Sequence, residues 1–401
     1  VDLSRLRVAL VHDWLTGLRG GEKCLESLCR IFPQATIHTL LHRPGSTSPT
    51  IEALPIRTSP LQRMPGIDRH YRKLLPLMPA AARSWQVGEV DLVVSLSHCV
   101  AKAVRTPAGV PHVCYCFTPM RYAWEVRDAY FASWQRRPVR RALAGIVLDR
   151  LRGWDRDTAA RVSHFVAISD TIRARIARSY GRDSRVIRPP VDTAFYTPAS
   201  PLDPPRDEAL LCVSALVGYK RIDQAVAACT ALGRPLIVIG EGPERRRLEA
   251  MAGPTVTFLG WQPDEVIRDH YRRRRALLFP AEEDFGIVPI EALACGLPVI
   301  ALGRGGVAET VDDRVGRLFN EPSAEALSRA IVAWERDGRP FDAVLARQKA
   351  EALAEPVYRA RMAKLLEEVV ANSLTSDGAS VPRPHLDDRP ARRGRSSRAG
   401  A

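Results

Sequence analysis

No apolar run in this 401-residue chain reaches the ~18 residues that a helical bilayer span requires. The opening VDLSRLRVALVHDWL is too short in its apolar run, is broken by Asp13, and continues into a strand-then-helix pattern, so it does not read as a secretory leader. A soluble cytoplasmic protein is expected. Paired CxxC cysteines are missing. Cys24, Cys29, Cys99, Cys114, Cys116, Cys212, Cys229 and Cys295 are scattered, mostly within apolar runs, and read as reduced core thiols rather than metal ligands. Aromatic residues make up only 6%, and no nucleic-acid recognition motif occurs, which argues against a nucleic-acid partner. A G-x-G-x-x-G after the first strand is also lacking, since LRGGEK has the wrong spacing, and this argues against a nicotinamide dehydrogenase. The triplet Asp155-Arg156-Asp157 lies in the helical pattern LRGWDRDTAARV, whereas a metal site of that type belongs in a loop after a strand. A solvated helix face is expected there, and no metal is called for.

What is present is ordinary globular composition, 46% hydrophobic and 26% charged, in a chain long enough for two cores. Charge is uneven. Residues 1–200 hold 30 Lys and Arg against 16 Asp and Glu, while residues 201–401 hold 29 against 29. The whole excess of +14 therefore sits in the first half, which favours anionic partners. Apolar runs bounded by Gly, Pro and Ser alternate with helical periods: 6–12, 35–40, 90–97, 111–118 and 164–169, then, after the Pro-rich stretch 189–205, 209–216, 235–242, 255–261, 275–281, 297–302 and 314–319. That is βαβ grammar twice over, an α/β chain of two doubly wound Rossmann-like domains facing a cleft. The expected division is 1–193, 194–372 with closing helices, and a disordered basic tail, 373–401, rich in Ser, Pro, Gly and Arg.

Ligands in such folds sit at loops after strands. In FPAEEDFGIVPIEALACGLPVIA, Glu283 falls in the loop after a buried strand, and Phe285, Gly286 and Ile287 open a helix whose free amides favour an anion. Glu291 lies further along the same helix. Two carboxylates in such a place suit vicinal hydroxyls. VSALVGYKRID puts Gly218, Lys220 and Arg221 after the first strand of the second domain, with the lysine within reach of a phosphate. VIGEGPERRRLEA adds Gly242, and ALGRGGVAETV adds a third glycine-bearing turn. In the first domain, VHDWLTGLRGGEK places Gly20 and Gly21 at a helix start, while LSHCVAK and YCFTPMRYAW end two more strands. Residues 69–86, RHYRKLLPLMPAAARSWQ, mix Arg and Lys with apolar side chains. They read either as a peripheral face for an anionic membrane or as an ordinary surface helix broken by prolines.

Taken together, these blocks resemble the family-4 glycosyltransferases of the GT-B fold over about residues 5–365, and more narrowly the bacterial mannosyltransferases of O-antigen and exopolysaccharide assembly. The resemblance implies a retaining hexosyltransferase, with GDP-mannose as donor and a glycan or polyprenyl-diphosphate-linked acceptor. It also implies roles. Glu283 contacts hydroxyls of the transferred sugar and Glu291 the ribose diol. Lys220 meets the diphosphate, Phe285, Gly286 and Ile287 touch donor sugar and phosphate, and Gly20 and Gly21 lie near the reaction centre. Two departures stand out. Ala215 occupies a position where many members carry arginine, and Phe117 one where many carry histidine before Thr-Pro. His98 is the first candidate to supply the missing contact and His12 the second. A non-catalytic nucleotide-sugar binder and a GT-B sugar-nucleotide epimerase stay open as alternatives.

Overall fold

Buried β-branched runs build two parallel sheets. The computed structural model describes residues 2–124, 138–201, 204–338 and 341–376. In the first sheet β1 (Val8–His12), β2 (Thr36–Thr39), β3 (Ile56–Thr58), β4 (Leu92–Ser97), β5 (His112–Cys116), β6 (His164–Ala167) and β7 (Ser184–Val186) lie in the order β3-β2-β1-β4-β5-β6-β7. In the second, β8 (Leu210–Val213), β9 (Leu236–Ile239), β10 (Val256–Gly260), β11 (Ala276–Phe279), β12 (Val299–Leu302) and β13 (Gly316–Phe319) run β10-β9-β8-β11-β12-β13. Both are doubly wound α/β sheets, as expected from the alternation of patterns. The short edge strands β3 and β7 escaped the sequence reading because Ile56-Arg57-Thr58 and Ser184-Arg185-Val186 carry too few apolar residues to register.

Successive residues of a strand point to opposite faces. Along β1, Val8 and Leu10 pack with Leu25 and Leu28 of the helix Gly20–Ile31, while Ala9 and Val11 pack with Trp14, Tyr71, Met78 and Trp85. Both faces are thus covered, which explains the unbroken apolar runs. The second group draws part of residues 69–86 into the core. Tyr71, Leu75, Met78 and Trp85 are core residues, and the Trp85 indole N–H donates to the Thr39 carbonyl at 3.1 Å. Leu77, in the same stretch, remains 48% exposed.

Asp155 is a correction. It is fully buried on the helix Pro138–Ala159, ion-paired with the equally buried Lys102, and it accepts from the Trp124 indole at 2.8 Å and the Tyr180 hydroxyl at 2.7 Å. A helical period counts apolar residues, so a charge on the inward stripe was misread as outward. All eight cysteines are free and buried.

The helix Glu355–Ser376 ends the described chain, so residues 373–376, read from sequence as the start of the tail, are helical; 377–401 lie outside the described residues. It follows the second domain in sequence, yet it packs on the first. Tyr358 meets Tyr115 of β5 edge to face at 5.7 Å, and Glu368 pairs with Arg185 of β7 at 2.5 Å. The chain therefore crosses between domains twice. The two crossings touch: the Val191 amide donates to the Leu353 carbonyl at 2.9 Å, and Val191 bridges Ala354. Among the described residues no helix is long and apolar enough to cross a membrane.

Candidate active site

Strand C-terminal ends of the two sheets converge on two adjoining cavities. One, of about 710 Å³, is lined by His12, Trp14, Arg19 and Glu22 from the end of β1 and the helix after it, by His98 and Phe117 after β4 and β5, and by Glu282 and Asp284 after β11. The other, of about 310 Å³, is lined by Gly20, Gly21, Lys220, Glu283, Phe285, Gly286, Ile287 and Val288. Gly21, Phe117, Arg121, Tyr219 and Asp284 border both.

The second domain supplies the carboxylates. The loop after β11 is tied down by its backbone: Glu283 bridges Gly305, and the Gly306 amide donates to the Glu283 carbonyl at 2.8 Å. Gly286 turns the chain into the helix Ile287–Ala294 with φ +88°, a conformation that favours glycine. That turn leaves the first amides of the helix at the smaller cavity. The Glu283 side chain is ion-paired with Lys220, which comes from the single turn Gly218–Lys220 after β8, and both side chains remain partly solvated.

Arg221, the other cation of that loop, has φ +52° and turns toward Asp223, its Nε 3.4 Å from Oδ1. Gly218 and Gly242 border neither cavity. Gly242 instead packs tightly on the Leu216 carbonyl.

Glu291 is buried inside the helix. It accepts from the Tyr271 hydroxyl at 3.3 Å and faces Lys23 of the first domain, Nζ to Oε1, at 3.8 Å. Burial pushes its carboxyl above the usual range, and Lys23 opposes that shift.

The first domain supplies imidazoles and cations. Gly20 opens its helix against the second domain, where a β-carbon would lie 2.5 Å from Ile287 Cδ1. Asp13 is fully buried and accepts four backbone N–H bonds, from His98 (2.7 Å), Cys99 (2.9 Å), Val100 (2.6 Å) and Ala101 (2.7 Å). It also meets His98 Nδ1 at 2.9 Å. Burial would raise its pKa, but the His98 charge and these hydrogen bonds outweigh burial and hold it well below the carboxylate range. His98 is thereby oriented in the larger cavity, edge-on to Trp14 at 4.4 Å and 6.3 Å from the Phe117 ring. His12 is 6.4 Å from the same ring.

Asp284, Arg121, Arg175 and Asp13 were not singled out from the sequence. Asp284 pairs with Arg175 and with Arg121, the latter at 3.2 Å, and its carbonyl accepts from the Ser169 hydroxyl at 2.6 Å. Asp284 and Arg121 lay inside motifs already in view, EEDFG and CFTPMRYAW. Arg175, in mid-helix Asp170–Tyr180, carried no local signal. Glu309 makes a second contact between domains. It accepts from the amides of Asp170 (3.0 Å) and Thr171 (2.8 Å), the Thr171 hydroxyl (3.0 Å) and Arg188 (2.9 Å).

Two Rossmann-like domains that meet at a common cleft, with a lysine–glutamate pair and a helix start on its wall, give the chain the GT-B architecture. Residues 18–195 match the family model described as Glycosyltransferase Family 4, and residues 197–353 match the one described as Glycosyl transferases group 1. This chain belongs to the family-4 glycosyltransferases.

Among curated relatives it is 28% identical over 264 residues to the GDP-mannose-dependent α-(1-6)-phosphatidylinositol monomannoside mannosyltransferase of Mycolicibacterium smegmatis. That alignment covers 59% of this chain and 66% of the relative, just under two thirds of its length. Solved structures share the fold at lower identity. Sucrose-phosphate synthase from Thermosynechococcus elongatus has a TM-score of 0.70 at 20% identity, covering 92% of this chain and 100% of that one. Anabaena HepE in complex with UDP has a TM-score of 0.67 at 18% identity, covering 90% and 100%.

Proposed function

We propose that the protein transfers a hexosyl group, with retention, from a nucleoside-diphosphate sugar to a hydroxyl of a lipid-linked or polysaccharide acceptor, and that GDP-mannose is its donor. One observation carries the reading: Lys220 and Glu283 form an ion pair beside the first amides of Ile287–Ala294, in the smaller of the two adjoining cavities. Breaking the bond from the anomeric carbon to the diphosphate oxygen leaves negative charge on the nucleotide. Lys220 and the helix start offset that charge without a metal. Glu283, released from Lys220 when the diphosphate engages the lysine, accepts hydrogen bonds from sugar hydroxyls. Glu291 does the same for the ribose diol. The acceptor occupies the larger cavity; its hydroxyl oxygen attacks the anomeric carbon from the face that the diphosphate leaves and passes its proton to the departing diphosphate oxygen.

The choice of GDP-mannose and of a lipid-linked acceptor follows the mycobacterial relative, whose name specifies both a GDP-mannose donor and a phosphatidylinositol mannoside. The positive first half supports peripheral electrostatic contact with an anionic membrane at the inner face.

Thermal melting against GDP-mannose, UDP-glucose, UDP-N-acetylglucosamine and the free nucleotides tests the donor. A ligand at ~100 times its Kd adds about 2.7 kcal/mol, a readable shift. The donor should shift the wild type, and Lys220→Ala and Glu283→Ala should blunt the shift. Turnover that runs on nucleotide sugar alone, without acceptor, would point to an epimerase instead.

A further inference from the structure

We propose that His12 reads a sugar hydroxyl through its Nε2 atom, as a recognition residue at the seam of the two cavities; the identity of the sugar rests on the function proposed above. Three observations carry this. First, His12 Nδ1 lies 3.0 Å from the Trp14 carbonyl. A carbonyl only accepts, so Nδ1 holds the proton. Second, His12 is 2% exposed, and burial lowers its pKa, which favours the neutral imidazole, whose Nε2 carries a lone pair. That atom has no hydrogen-bond partner among the described residues. Third, His12 borders the larger cavity, and Nε2 lies 3.4 Å from where a β-carbon on Gly21 would stand. Gly21 and Phe117 border both cavities, which puts Nε2 beside the seam between the pockets proposed for donor and acceptor.

Buried acceptors without partners are rare because leaving them so is unfavourable. A ligand hydroxyl removes the deficit. His98 does not duplicate this role. Its Nδ1 is taken by Asp13, a charged partner, whereas His12 leans on a neutral carbonyl. The hydroxyl belongs either to the transferred sugar or to the acceptor.

The experiment compares wild type, His12→Asn and His12→Gln in the full chain. Asparagine places an amide where Nδ1 was and keeps the bond to Trp14, but loses Nε2. Glutamine places an amide oxygen near the Nε2 position. Calorimetric titration with GDP and with GDP-mannose, and transfer kinetics with octyl α-mannoside as the acceptor probe, separate the two sources. GDP affinity should be equal in all three proteins.

If the hydroxyl is on the transferred sugar, His12→Asn loses about tenfold of the advantage of GDP-mannose over GDP, and His12→Gln recovers most of it. If the hydroxyl is on the acceptor, donor affinities stay level and KM for octyl α-mannoside rises by a similar factor in His12→Asn alone. An asparagine variant equal to wild type in both measurements overturns the inference. So does a ¹⁵N-histidine spectrum of the free protein that shows His12 protonated at Nε2, whatever the donor is. Failure of the wild type to prefer any nucleotide sugar over its nucleotide would instead overturn the donor assignment, and the spectrum would still decide the inference.

Discussion

Lys23 and Glu291 face each other across the interdomain cleft, Nζ to Oε1, at 3.8 Å, one from each domain. The carboxylate is buried and its pKa is raised, so its ionised form is disfavoured in the folded protein. The sign follows. A carboxyl that binds its proton more tightly when folded contributes most stability at low pH, and that contribution falls as pH rises from the ordinary 4.5 through the raised folded value. Glu291→Gln should therefore melt about 2 °C above wild type at pH 7 and show a flatter pH profile from 4.5 upward, while losing affinity for GDP. Calorimetry with and without GDP measures both. A lower melting temperature would mean that the Lys23 attraction outweighs burial.

Lys220 and Glu283 are joined in the free protein but should separate functionally. Lys220→Met is expected to weaken GDP binding and to cut kcat by about 10²–10³, the usual loss when one stabilising group is removed from a developing anion. Glu283→Gln should leave GDP affinity unchanged and weaken only the nucleotide sugar. Equal loss of GDP affinity in both variants would put both groups on the nucleotide.

Asp13 holds the loop that carries His98. In Asp13→Asn the new NH₂ would face two of the four backbone donors now bonded to carboxylate oxygens. Hydrogen bonds to charged groups are worth about 1.5–3 kcal/mol each, so a loss of about 3 kcal/mol is expected in urea unfolding. The pH dependence has the opposite sign to that of Glu291. Because the folded pKa lies below 3.8, the Asp13 contribution is complete above 3.8 and is lost as pH falls through the folded value. The asparagine variant should lack that part of the acid limb.

Lys102 and Asp155 should show strong coupling. Asp155→Leu leaves a buried ammonium without its partner and should cost about 3–5 kcal/mol. Lys102→Met with Asp155→Leu should recover part of that loss, because the uncompensated charge is gone. Additive losses in the double-mutant cycle would show that the pair contributes only as two separate residues.

Glu309 joins the domains from outside the cavities. Glu309→Ala frees two backbone amides at the start of Asp170–Tyr180 and the Arg188 guanidinium. Amide exchange at residues 170–172 should quicken, and the radius of gyration by X-ray scattering should increase in the absence of nucleotide. Unchanged exchange there would mean that the other interdomain contacts, those of Asp284 with Ser169, Arg121 and Arg175 among them, hold the domains without Glu309.

How much of this was legible depends on the range of the interaction. Strands announce themselves through contiguous apolar residues, so eleven of the thirteen among the described residues were visible, and the two missed were edge strands of three residues each. Glu283, Glu291 and Lys220 stood out because glycines and a helix start surround them within a few positions. Arg175 and Glu309 gave no such cue. Their partners lie 109 and 138 or 139 positions away, on the opposite domain, and no local period encodes that distance. Asp155 shows the converse error, since Arg152, Arg156 and Asp157 close to it in sequence suggest a solvated face, whereas its partners in space, Trp124, Tyr180 and Lys102, are distant in the chain.

The double crossing at Val191 and Ala354 sets what closure of the cleft looks like as motion. A single tether would let one lobe swivel, twist and slide against the other. Two plies clasped by a main-chain bond leave one easy degree of freedom, a swing about a line through the clasp, like a book opening along its spine. Nicking the chain at either ply should therefore do more than loosen the protein. It would release the twist that the second ply forbids and let the two halves of the pocket meet out of register.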